Sequence, residues 1–182
     1  MNINEIYLQI INTQDDNELV ELAKKEVMVI PVLINAMLDS ADCRAENVLI
    51  ELSEQTPLLV YPYFQYIAQA IDRYNNFTAW NSWRIIANLL IVDYLEMWED
   101  IKDKYFKAFS SENIAEILVL ISTAKSVAEY KPNDREHILR LVESCTSNNF
   151  KICGEPAPHI NAVANQAVNE FFKDIDFEIL TQ

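Results

Sequence analysis

A single glycine, Gly154, serves a chain of 182 residues. Tight hairpins draw on glycine for the left-handed backbone of their turns, so this scarcity argues against a fold of many short strands. The sequence carries the helical period instead. In SADCRAENVLIELSE the apolar residues Ala41, Ala45, Val48, Leu49 and Leu52 recur at spacings of three and four, which is one stripe of an amphipathic helix. Ser40 or Asp42 is placed to cap its start. Pro57 disfavours helical geometry at Thr56 and suits the first position of the next segment. The helix therefore ends near EQTP, and a second is entered at Pro62 in LLVYPYFQYIAQAID.

The same periodicity predicts helices over 3–11, 16–26, 29–38, 42–54, 62–72, 78–91, 94–108, 112–128, 133–145 and 159–173, with no segment alternating at period two over a strand's length. Ser110 or Ser111 is placed to cap ENIAEILVLISTAKSVAEY, and Pro132 opens PNDREHILRLVES. Cys153, Gly154 and EPAP read as a chain reversal before the last helix, and residues 174–182 as a tail open to fraying.

The helix–turn–helix unit recurs. VMVIPVLINAMLDS and LLVYPYFQYIAQAIDR each place a branched or aromatic residue before a proline, an apolar helix after it and an aspartate at the exit, Asp39 and Asp72, 33 positions apart. Each is followed by a polar link and a helix bearing an arginine, Arg44 and Arg84. Self-similarity of this length is the signature of stacked repeats. About four helix pairs, forming one domain over residues 1–182, account for the chain.

MLDSADCRAENVLIELSEQTP resembles the junction of HEAT repeats, in which an aspartate ends one helix and an arginine lies early in the next. AWNSWRIIANLLIVD and KSVAEYKP resemble segments of small prokaryotic HEAT-like proteins. The resemblance runs over about residues 29–173 and is strongest from 39 to 132. It implies an all-α, right-handed, armadillo-like solenoid of stacked HEAT-like helix pairs whose concave face binds a partner. Asp39, Arg44, Asp72 and Asp93 would be the structural residues of the repeats. The repeats are shorter than the ~40 to 47 residues of HEAT units.

The net charge is -14, from 14 basic and 28 acidic side chains. Residues 1–57 hold 3 basic and 11 acidic groups, 58–110 hold 5 and 6, and 111–182 hold 6 and 11. Nucleic-acid binders need a Lys/Arg footprint to displace counterions from phosphate, and this balance argues against one. A basic protein partner, or solubility alone, suits the acidity. The start MNINEIYLQI lacks a basic region and a cleavage pattern, and the apolar runs are broken well short of the ~20 residues of a bilayer span. Three cysteines, an odd number, suit a reducing compartment. The expectation is a cytoplasmic protein with no membrane partner.

FTAWNSWRIIANLLIVDYLEMW holds all three tryptophans. On a helix Trp80, Trp83, Ala87, Leu90 and Ile91 share one face, with Ile85, Leu89 and Val92 roughly opposite. Such a helix is buried on two sides. Between those faces runs a polar seam of Asn81, Arg84 and Asn88. Arg84 there either pairs with Asp72 or Asp93, or faces a groove as a bidentate anchor beside Trp83. YPYFQY packs aromatics too densely for one core, so at least one of Tyr63, Phe64 and Tyr66 stands at the rim, as packing or as a contact patch. Trp83, Arg84 and Asp93 also echo the tryptophan, arginine and aspartate of HEAT-like DNA-alkylation-repair glycosylases, which require a basic surface that this chain lacks.

Cys145, Cys153, His137 and His159 lack the close pairs of a zinc site, and the phosphate-loop, nucleophile-elbow, dinucleotide and zincin patterns are all missing. The expectation is a protein- or peptide-binding scaffold without catalysis, metal or cofactor. Its expected contact residues are Asn81, Trp83, Arg84, Asn88, Tyr63 and Tyr66. The alternatives are a nucleic-acid-binding protein of the repair type and a structural subunit of a larger assembly.

Overall fold

The computed structural model describes residues 3–13, 15–40, 43–72, 76–147, 150–152 and 155–175. Among them almost every segment is helical, and the chain divides into two compact units, Met1–Met97 and Trp98–Gln182.

The first unit contains α1 (Ile3–Asn12), α2 (Asp16–Lys25), α3 (Val29–Ser40), α4 (Cys43–Gln55), α5 (Pro57–Val60), α6 (Phe64–Gln69) and α7 (Asn76–Leu89). Short 3-10 turns at Tyr61–Tyr63, Ala70–Asp72 and Leu90–Val92 join or extend them. Helix α4 packs against α2, α3, α5 and α7. Its predicted stripe of Ala45, Val48, Leu49 and Leu52 is buried, each large aliphatic contributing roughly 1.5–3 kcal/mol relative to exposure. Helix α7 is covered nearly all round: Trp83, Ile85, Ile86, Ala87 and Leu89 are buried, while Phe77 and Arg84 stand in solvent. Trp80 is half-buried, with its ring 5.1 Å from Phe77.

The second unit contains α8 (Lys102–Ala108), α9 (Ile114–Tyr130), α10 (Arg135–Ser144) and α11 (Pro158–Asp174). Helix α9 is its centre, packing on α8, α10 and α11 and burying Ile117, Leu120, Ile121, Ala124 and Val127. Trp98 is fully buried, with Tyr105 edge-on at 5.3 Å. The two-residue strands β1 (Lys151–Ile152) and β2 (Glu155–Pro156) pair antiparallel, with Ile152 opposite Glu155, around the reversal read at Cys153 and Gly154. Those two residues lie outside the described ones, as do Ala41, Asp42 and residues 176–182 of the tail.

The helices differ from the sequence reading where side chains compete for backbone groups. The expected 62–72 helix is helical throughout but of mixed type, a 3-10 turn at Tyr61–Tyr63, α6 over Phe64–Gln69 and a second 3-10 turn at Ala70–Asp72, and the short α5 at Pro57–Val60 precedes it; Pro62 near the start lacks only an N–H that would have bonded back toward α5. The expected 94–108 helix starts late, with a 3-10 turn at Met97–Asp100 and an α-helix only from Lys102: Asp93 holds the Met97 N–H through its carboxylate at 2.8 Å, and Glu96 takes a left-handed backbone at φ 55. Helix α9 starts at Ile114, so its cap is Asn113, which accepts from the Ala115 N–H at 3.0 Å, and not Ser110 or Ser111. At α10 the Asp134 carboxylate leaves the cap position unused because it accepts from Trp98.

Glu46 is fully buried on α4, where its two oxygens accept from Thr78 at 2.6 Å and Asn81 at 2.5 Å on α7. Glu46→Ala strands both donors, so it is expected to lower stability by about 1–3 kcal/mol in urea unfolding. The exposed Glu54→Ala is expected to stay within about 0.5 kcal/mol.

Candidate functional site

The polar seam of α7 faces α4. Besides Asn81 on Glu46, Asn88 donates through Nδ2 to Ser53 Oγ at 2.9 Å, and Ser53 donates in turn to the Ile50 carbonyl at 2.6 Å. Positions 46 and 53 lie two turns apart on α4, as do 81 and 88 on α7, so the helices meet at two polar rungs in register. Asn81 and Asn88 thus serve the helix interface and Trp83 is buried behind them. Arg84, the third member of the seam, is exposed and forms no ion pair among the described residues. It pairs with neither expected aspartate: Asp72 is exposed, and the Asp93 carboxylate binds Tyr61 and the Met97 N–H. Arg44 turns away from Asp39 and bonds Asp16 Oδ1 at 2.9 Å and the Thr13 carbonyl, tying α4 to the start of α2. Asp39 itself is exposed.

YPYFQY divides as its crowding requires. Tyr61 and Phe64 are buried, Tyr63 is half-buried and Tyr66 is exposed. Tyr61 organises the next feature. Its hydroxyl donates to Asp93 Oδ1 at 2.6 Å and accepts from the Leu95 N–H at 3.0 Å. Burial first, and the hydrogen bond to Asp93 second, raise its pKa to about 12.

The segment from Asp93 to Met97 is therefore pinned at three points around one phenol and one carboxylate. Glu96 adopts its φ of 55 there, a region that costs energy for any residue other than glycine. The pinned loop turns Tyr94 and Leu95 outward, 67% and 61% exposed, with the Tyr94 ring 4.8 Å from that of Tyr61. Helix α5 packs on the turn at Leu90–Val92 that leads into this loop, and Leu58 on that helix and Ile91 in that turn are 64% and 55% exposed. Sequence periodicity missed the feature because it runs the helical pattern through Tyr94 and Leu95. The available signal was the Asp93 carboxylate four residues before Met97, a capping arrangement.

In the second unit Trp98 Nε1 donates to the buried Asp134 at 2.8 Å, and Lys102 lies 3.6 Å from the other Asp134 oxygen. The Tyr105 hydroxyl donates to the Leu120 carbonyl at 3.0 Å and meets Thr123 Oγ1 at 2.9 Å, and burial pushes its pKa well up. Cys145 is buried and its thiol is raised to about 11, a poor nucleophile at neutral pH. Among the described residues no three His, Cys, Asp or Glu side chains are placed to hold a metal, and no helix is long and apolar enough to cross a membrane. An open cavity of about 310 Å³ lies between α9 and α11, with a floor of Leu118, Ile121 and Phe171 and charged rims at Lys125, Glu170 and Asp174.

Two outcomes follow. Arg84→Ala is expected to leave stability within about 0.5 kcal/mol, whereas Asn88→Ala, which strands the Ser53 rung, is expected to cost about 1 kcal/mol; urea unfolding monitored by circular dichroism separates them. The folded state holds the Tyr61 proton more tightly than the unfolded chain, whose phenol titrates near 10.0. The Tyr61 contribution is therefore complete below pH 10.0 and is lost as pH rises to about 12. Tyr61→Phe is expected to flatten the alkaline fall in the urea midpoint relative to the unsubstituted chain.

Comparison with protein-family models, with curated proteins and with solved structures finds no match to this chain.

Proposed function

We propose that this protein is a non-catalytic, cytoplasmic scaffold that binds a protein or peptide on a face of a HEAT-like, right-handed solenoid of helix pairs. The observation that carries the binding reading is an asymmetry of the surface. Of the eleven large apolar side chains that stand exposed among the described residues, ten belong to the first unit, and only Val163 to the second. Scattered exposed apolar residues are ordinary, but their concentration in one unit of a strongly acidic protein supports a contact role for that unit.

The helix-pair reading is supported by a recurring distance along the chain. The bonds of Tyr105 to Leu120 and Thr123 are shorter-range, 15 and 18 positions, but several side-chain bonds that join separate helical segments link residues 28 to 36 positions apart: Arg44 with Asp16, Tyr61 with Asp93, Thr78 and Asn81 with Glu46, Asn88 with Ser53, and Trp98 with Asp134. That is about one helix pair, the interval at which stacked repeats meet. The spacing of 33 between Asp39 and Asp72 in the sequence falls in the same range.

The same apolar surface would also suit a structural subunit built into a larger assembly, and one experiment separates the two. The tagged chain is used to capture proteins from its native host, beside a variant with serine at Leu58, Tyr66, Phe77, Tyr94 and Leu95. The scaffold reading expects a discrete partner with the unsubstituted chain that the variant loses while remaining folded by circular dichroism. Equal recovery by both sinks it. Stable self-association of the unsubstituted chain in sedimentation, with no other protein bound, favours the subunit.

A further inference from the structure

We infer that the loop from Asp93 to Met97, together with Leu58 and Ile91, is a docking surface for a basic amphipathic helix of a partner protein. This rests on the scaffold reading and narrows it to one site and one partner chemistry.

The loop is built by atoms other than the ones it displays. Its shape is held by the Tyr61 hydroxyl, the Asp93 carboxylate and the N–H groups of Leu95 and Met97. The Leu95 side chain and the outer part of Tyr94 contribute little to that network, since both side chains are mostly in solvent. A polar residue at either place would leave the three bonds intact and suit water better. The chain also accepts a left-handed backbone at Glu96 to complete the turn. An energetically costly, rigidly held loop that presents large apolar side chains meets the two usual conditions of a protein contact: preorganisation, and apolar area concentrated at its centre.

Charge selects the partner. The first unit carries 5 basic and 14 acidic side chains, a net charge of -9. The segments that supply the patch, residues 57–60 and 90–97, contain no lysine or arginine, and Glu96 is exposed on the second, the nearest base in sequence within the first unit being the exposed Arg84 on α7. A partner with lysines or arginines around an apolar centre gains from this field in both encounter and register. A second copy of this chain would set the same acids against each other across a two-fold interface. The displayed side chains come from a short helix, a 3-10 turn and a loop, with no open strand edge for an extended peptide to join. Recognition therefore falls to side chains, and an amphipathic helix offers an apolar face with basic flanks.

The probe is a fluorescent designed helix of leucine and lysine, set beside a counterpart with glutamate for every lysine, titrated against the full chain. Binding is expected for the lysine helix alone, weakening as salt is added. Leu95→Ser and Tyr94→Ser are each expected to weaken it about tenfold, the loss typical of a central contact residue. Tyr94→Leu, which keeps the apolar surface, is expected to restore most of it, and Val163→Ser to leave it unchanged. Equal affinity for the two helices, or equal affinity of all variants, overturns the proposal. A photo-crosslinking residue placed at Tyr94 or at Tyr66 in the native host tells the two levels apart. Cross-links from 94 to a lysine- or arginine-flanked helix support the docking surface. Cross-links from 66 without any from 94 overturn it and leave the scaffold reading standing, and cross-links from 94 to a second copy of this chain overturn it in favour of self-association. Absence of cross-links from both positions removes both readings.

Discussion

The contact between α4 and α7 rests on a carboxyl group removed from water. Glu46 is fully buried, and its two oxygens face a threonine hydroxyl and an asparagine amide, both neutral. Burying such a group unpaired is costly, so its partners have little freedom. Thr78 and Asn81 must stand one turn apart on α7 at the height of Glu46, and that requirement fixes the rotation and the register of one helix on the other. The Asn88–Ser53 contact two turns further along then falls into place, and with both rungs made the apolar residues between them, Leu49 and Ile85 among them, are sealed. Apolar packing contributes most of the energy; the polar rungs choose one packing among several of similar area.

The same device recurs with other residues. Asp93 is drawn inward by Tyr61, and Asp134 by Trp98. In each case an aromatic donor finds its bond to an acid more than thirty positions away, so a large ring is buried without an unsatisfied polar tip. The acids forgo local work for this. Asp134 stands at the cap of α10 and does not cap it, and Asp93 ends the helical run that the pattern of Tyr94, Leu95 and Trp98 would otherwise prolong. Long-range bonds of this kind decide where helices stop, which is why helix boundaries in this chain follow its tertiary structure.

The sequence was informative wherever one helix face decides the outcome. The stripe of α4, the two-sided burial of α7 and the proline at the start of α5 were all readable, because apolar periodicity and proline geometry act within one element. Tyr61, Tyr63, Phe64 and Tyr66 distributed themselves as crowding demands. The seam was harder. Asn81 and Asn88 lie within about 20° of each other around the helix, whereas Arg84 is displaced by about 40–60°, enough to move from the flank of the α4 contact into solvent. A helical projection groups the three together; only the position of α4 separates them. Arg44 illustrates the same limit, since Asp16 and Asp39 are equally reasonable partners until the start of α2 is placed beside it.

The exposed loop residues Tyr94 and Leu95 were hidden for a related reason. Tyr94 and Leu95 fit the helical period as core residues, and their apolar character drew them into a helix in the sequence reading. Their exposure results from Asp93, whose carboxylate satisfies the Met97 N–H from outside the helix and so stops it, and from Tyr61, which holds the Leu95 N–H. Two buried polar groups thereby convert a stretch patterned for the interior into a surface. Exposed apolar side chains in a chain of net charge -14 are protected from indiscriminate association by the acids around them, because any partner must tolerate that field before it can cover the apolar centre. The charge that argues against nucleic acid would thus also let an apolar loop stand exposed and would favour a basic partner over an acidic one there.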